Sequence, residues 1–173
     1  MGYTHGTLQA PGGREARGGR HGLRARAGLR EEKGTEAMRE RSETIPESVR
    51  DLLQSTAVAH VATIGPGGEP QNNPVWFDWD GECVRFSQTK TRQKLRNLKR
   101  DPRVALSIVD PEDHLRYLEI RGTVERVEDD PDLEFISAMS RKYIGVHPYP
   151  NHRPGDERVV VFVRPLHTSH KNG

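Results

Sequence analysis

At 173 residues, with 30% charged and 32% hydrophobic side chains, the chain suits one domain with some chain to spare. A formal net charge of +2 argues for no polyanionic partner by itself, and the single cysteine, Cys83, excludes an intrachain disulfide. No apolar run approaches the ~18 residues of a membrane span. The N-terminus also lacks the apolar stretch of a secretory signal, so a cytoplasmic protein is expected.

Residues 1–43 contain almost nothing apolar, and residues 1–37 are rich in Gly and Arg. Such a segment cannot form a core, so 1–43 is expected to be a disordered tail and 44–170 the folded domain. An RNA-binding tail, a targeting peptide and a translation start at Met38 are rival readings of the same residues. The first ordered element opens at Thr44-Ile45-Pro46-Glu47, where Thr44 can cap, Glu47 can close a capping box and Pro46 suits a first turn. Ile45, Val49, Leu52 and Leu53 then fall on one helical face.

The alternating run 57–64 predicts a strand, 65–70 a Gly/Pro turn, and 71–79 a second strand in which Pro74 implies an edge or a bulge. Asp80-Gly81 signals a hairpin into a third strand at 82–88. A short helix at 91–100 and strands at 103–109 and 117–127 follow. Asp130-Pro131 then opens a helix through Tyr143, with Leu133, Ile136, Met139 and Tyr143 inward and Gly145 as the stop. A sixth strand is expected at 158–163. Six mostly antiparallel strands with few helices predict a small barrel, mainly β.

The chemistry concentrates in RFSQTKTRQKLRNLKRDPRVAL, residues 85–106. Arg85, Lys90, Arg92, Lys94, Arg96, Lys99 and Arg100 follow one another without an intervening acid. Cations at a helix start oppose the helix dipole, and an anion held by the free backbone N–H groups would reverse that sign. The bland alternative is a solvated basic helix anchored by Leu95 and Leu98.

A strand ending in Ser-Gln, a basic turn, a short amphipathic helix and a returning strand together resemble the pyridoxamine 5′-phosphate oxidase-like family. Within it, the pattern looks closest to its deazaflavin (coenzyme F420)-dependent branch. VATIGPGGEPQNNPVWFDWDGE, LEIRGTVERVED, RKYIGVHPYP and RVVVFVRPLHT extend the likeness in the right order, from about Ile45 to Thr168. The resemblance implies a six-stranded antiparallel split β-barrel of the flavin-reductase, FMN-binding type, assembled as a homodimer with cofactor sites at the interface. It assigns the phosphate to Ser87, Gln88, Thr89, Lys90, Arg92 and Lys94, and the ring to Asn72, Asn73, Pro74, Val75 and Trp76. It assigns the closing segment of the neighbouring subunit to Leu115, Arg116 and Tyr117.

The cofactor so implied is coenzyme F420, with FMN as the alternative, and the activity is hydride transfer to an unsaturated small-molecule acceptor. An extended anionic tail would suit a strip of cations reaching Arg96, Lys99 and Arg100. The hard chemistry would belong to the cofactor, so no catalytic residue is named. The rivals are an FMN-dependent oxidase or reductase, a flavin- or haem-binding protein without turnover, and, last, a nucleic-acid binder, which would need interleaved exposed aromatics.

Phe77 and one Trp are expected in the core, while Trp76 either joins them or packs on the cofactor ring. His147 and His152 lack a third ligand of suitable spacing, so no metal is expected. Their Pro-rich loop is a surface loop or a cover over a pocket mouth. His60 and Cys83 read as strand residues, Cys83 as a small packed one.

Overall fold

Ile45, Val49, Leu52 and Leu53 are all buried, as their spacing predicts, but the last three lie on a 3-10 helix, Glu47–Leu53, and Ile45 precedes it. Pro46 stands at its N-cap with no side-chain cap, and Glu47 pairs forward with Arg50 instead of closing a capping box. The structure, a computed structural model, describes residues 45–173, so Thr44 and the tail at 1–43 lie outside the described residues. The described part belongs to a single unit, Arg39–Gly173. None of its helices is long and apolar enough to cross a membrane.

The strands are β1 (Ala59–Ile64), β2 (Pro70–Val75), β3 (Phe77–Trp79), β4 (Val84–Thr89), β5 (Arg103–Val109), β6 (Tyr117–Asp129) and β7 (Arg158–Lys171). Helix α1 (Gln93–Arg100) joins β4 to β5, and α2 (Glu134–Ile144) lies between β6 and β7. All ladders are antiparallel, in the order β2-β1-β5-β6-β7-β4-β3. The fold is therefore mainly β with a few helices, but its seven-stranded sheet replaces the expected six-stranded closed barrel.

The extra strand comes from 71–79, which divides at Trp76. Residues before it pair with β1 and residues after it pair with β4. These two pieces are the opposite edges of the sheet, so the sheet curls until its edges are one residue apart in the chain. The seam is not bridged by a ladder, because Phe77 directs its N–H to the Tyr143 hydroxyl (3.2 Å) and its C=O lies 3.3 Å from Lys142 Nζ. Pro74, on edge strand β2, leaves no ladder bond unmade.

Asp80 Oδ1 accepts from the N–H groups of Glu82 (2.9 Å) and Cys83 (2.7 Å), and Gly81 takes φ 101°, making the predicted β3–β4 hairpin. Asp130 accepts from the N–H groups of Phe135 and Ile136, capping α2 from four residues upstream of its first turn. Ile136 and Met139 are buried, whereas Leu133 and Tyr143 are half-buried. Gly145 ends α2 at φ 70°. Phe77, Phe86, Leu95, Leu106, Ile108, Leu118 and Ile120 fill the interior of the curled sheet.

Gly122 sits at a register shift between β6 and β7, where a Cβ would stand 2.4 Å from the Arg164 carbonyl oxygen. Backbone cannot swing aside as a side-chain tip can. Gly122→Ala is therefore expected to cost about 1–3 kcal/mol, read as a lower denaturant midpoint. An unchanged midpoint would show that the two strands part freely there.

Candidate functional site: a cationic cavity at the sheet seam

A cavity of about 540 Å³ opens at the seam, within the range of small-molecule sites. Edge strand β2 lines one side with Gln71, Asn73, Pro74 and Val75, and Trp76 follows at the crossover. Ser87, Gln88 and Thr89 from the end of β4 line the other side. The start of α1 adds Arg92, Gln93 and Lys94, and Ile136, Tyr149 and Arg158 complete the wall. The pairing explains the convergence: Ala59, Val61 and Thr63 of β1 point inward, so their partners Val75, Asn73 and Gln71 do too.

Lys94 is the electrostatic centre. Only 3% of it is exposed, and among the described residues its ammonium makes no ion pair or hydrogen bond. Its contact is the Phe86 ring, 5.6 Å from Nζ to the centroid. Burial first, and the nearby Arg92 charge second, bring its pKa down to about 8. A buried charge without a partner is expensive, so such a lysine is stable only if its cost is offset elsewhere. Arg158 donates to Ser87 Oγ at 3.3 Å, lies over the Tyr149 ring at 4.8 Å, and buries its Nε without a partner. Among the described residues, no carboxylate, histidine or cysteine lines the cavity.

The opposite wall is aromatic and apolar. Trp76 stacks on Tyr143 with centroids 5.4 Å apart and planes at 12°, and meets Tyr149 edge-on at 6.3 Å. Tyr149 is held by its N–H to Ser137 Oγ, 3.1 Å. The cavity thus offers both cations and flat rings, with Arg158 lying over the Tyr149 ring, which suits a ligand carrying both a phosphate and a ring system.

Nine of the residues proposed from the sequence meet here: Asn73, Pro74, Val75, Trp76, Ser87, Gln88, Thr89, Arg92 and Lys94. Asn72 is exposed and alternates to the outer face. Lys90 is outside the lining, paired with Asp129 (2.9 Å) and Glu157 (3.4 Å). Leu115, Arg116 and Tyr117 also stand outside it, at the β5–β6 turn, where Arg116 holds Asp110 and Asp51. The basic strip does not act as one surface. Arg85 is paired with Asp78, Arg96 bonds to Gln93 and the Thr91 carbonyl, Arg100 bonds to the Ile64 carbonyl, and Lys99 is exposed.

Gln71, Gln93, Ile136, Tyr149 and Arg158 also line the cavity, beyond the residues that the sequence pattern marks. Alternation along β2 would have offered Gln71 beside Asn73. Arg158 enters only because its strand pairs with the end of β4, Thr89 opposite Arg158. Elsewhere, His60 is exposed and Cys83 is packed beside Phe162, its thiol pKa raised by burial and then by Glu125. No group of three metal-ligating side chains occurs among the described residues.

A curled antiparallel sheet with an anion-and-ring cavity at its seam defines a class of cofactor-binding fold. The chain belongs to the pyridoxamine 5′-phosphate oxidase family, whose sequence model matches residues 45–171. A solved F420 reductase is 43% identical, with a TM-score of 0.67 over 72% of this chain and 98% of that one. A conserved hypothetical protein from Mycobacterium tuberculosis is 25% identical, with a TM-score of 0.58 over 73% of this chain and 84% of that one. General Stress Protein 26 from Bacillus anthracis shares the fold at 16% identity, with a TM-score of 0.54 over 72% of this chain and 91% of that one.

Proposed function

We propose that the seam cavity holds a phosphate-bearing flavin or deazaflavin and that the protein is an oxidoreductase acting on an unsaturated small molecule. The observation that carries this reading is Lys94, a buried lysine with no counter-charge among the described residues, at the wall of a cavity that no described acid lines. Lys94, Arg92 and Arg158 would meet the phosphate, with Ser87 and Thr89 as hydroxyl donors. Trp76, Val75, Pro74 and Tyr149 would flank the ring. The bound cofactor would supply the hydride, and the protein's share is to bind, orient and exclude water.

Deazaflavin is favoured over FMN because the 43% identical structure is an F420 reductase. The charge strip adds nothing to that preference, since Arg96 and Arg100 spend their guanidinium groups on the protein itself. FMN is the second reading, because a single phosphate needs no more than the three cations that line the cavity. A homodimer belongs to the same proposal, with Leu115, Arg116 and Tyr117 facing the partner's cavity.

Titration with deazaflavin, FMN and phosphate-free riboflavin, followed by fluorescence, tests the reading, with light scattering alongside. One phosphorylated ligand should bind at least tenfold more tightly than riboflavin. Equal affinity for FMN and riboflavin, with no binding of deazaflavin, would remove the phosphate site.

A further inference from the structure

An amide beside a ligand can present either its nitrogen or its oxygen, and shape alone does not decide which. Here a chain of hydrogen bonds decides it. Arg96 is a donor only, and its Nε and Nη2 both reach Gln93 Oε1, at 3.1 and 2.8 Å. Gln93 must therefore turn its nitrogen inward, and Nε2 donates to Asn97 Oδ1 at 2.8 Å. Asn97 is completely buried, and with its oxygen taken it points Nδ2 at Thr63 Oγ1 and at Gln71 Oε1, each 3.1 Å away. The polarity set by one guanidinium on the surface is thus passed through three amides, from Gln93 and Asn97 on α1 to Gln71 on β2.

We infer that Gln71 presents its amide nitrogen to the cavity as a fixed donor, selecting a ligand with a hydrogen-bond acceptor at the β2 edge. This rests on the proposed function only for what the ligand is, a flavin or deazaflavin with carbonyl, ring-nitrogen or phosphate acceptors. Gln71 lines the cavity, and its Nε2 makes no hydrogen bond among the described residues. Flipping it would set its nitrogen against the Asn97 nitrogen, two donors face to face, and leave Asn97 Nδ2 with Thr63 Oγ1 alone. Asn97 and Arg96 are positioning residues in this scheme, and Gln71 is the group that touches the ligand.

Side-chain amide NMR of the ligand-free protein tests the orientation. The Gln71 NH2 protons should exchange readily with water while those of Asn97 are protected. Arg96→Met, on the surface and off the cavity, should double or broaden the Gln71 signals, because the polarity is no longer imposed. Gln71→Met, neutral and similar in size, should weaken binding of the preferred flavin about tenfold with the melting temperature held. Protected Gln71 protons, signals unmoved by Arg96→Met, or unchanged affinity in Gln71→Met would each overturn the inference. If neither FMN nor deazaflavin binds the wild type but the exchange pattern is as expected, the cofactor reading falls and the donor polarity stands.

Discussion

Replacing Lys94 with Met should weaken binding of the phosphorylated cofactor ten- to a hundredfold while making the ligand-free protein more stable. The two effects share one cause. A charge-assisted hydrogen bond to a phosphate contributes about 1.5–3 kcal/mol, which is that range of affinity. Without ligand, Lys94 is a buried residue, 3% exposed, and among the described residues its ammonium has no ion pair or hydrogen bond. Its pKa falls from 10.5 to about 8, which corresponds to up to roughly 3 kcal/mol of destabilisation at neutral pH. Methionine fills similar space without the charge.

The pH dependence carries the same signature. Between about 8 and 10.5 the unfolded chain holds the Lys94 proton and the folded protein does not, so wild-type stability should rise across that window. The variant should lack that rise. Binding of the phosphate needs the charged lysine, so wild-type affinity should decline as pH climbs above about 8. Titrations and melts of both proteins across pH separate this from a purely structural lysine, for which affinity would not change.

Tyr143→Phe should lower stability by about 2 kcal/mol, or roughly 5–10 °C in Tm. The hydroxyl donates to the Ala57 carbonyl at 2.9 Å, with the Phe77 carbonyl at 3.1 Å, and accepts from the Phe77 N–H at 3.2 Å. It ties the chain entering β1 to the start of β3 where no ladder crosses the seam. Phenylalanine keeps the face that stacks on Trp76 but leaves the Phe77 N–H unpaired.

Burial also pushes the Tyr143 pKa up to about 12. Its contribution is present below pH 10, the unfolded value, and is lost as pH rises through about 12. That decline is opposite in sign to the Lys94 effect. It should be absent from the phenylalanine variant, and a wild-type-like melt of Tyr143→Phe would show that the seam is held by packing alone.

Much of this architecture is legible in one dimension. Alternation places Val61, Phe86, Leu106 and Ile120 inside, and Asp80-Gly81 and Gly145 mark their turns by the conformations that occur there. The cationic stretch around Lys94 was also readable, because cations crowd a helix start where the dipole disfavours them. Local patterning by itself determined where most strands lie, the hairpin and the neighbourhood of Lys94.

Which of the cations serve the cavity was decided only in three dimensions. Lys90 and Arg85 look as free in the sequence as Lys94, yet strands far along the chain or across the hairpin bring them acids. Arg158 and Tyr149 join the site from beyond α2 because β7 pairs with β4, a register that periodicity does not encode. The split of 71–79 into two strands depends likewise on Tyr143 and Lys142 reaching Phe77 from α2. Side-chain period and turn chemistry act over a few residues, whereas counter-charges, seam closure and amide polarity depend on partners brought together by the curl of the sheet.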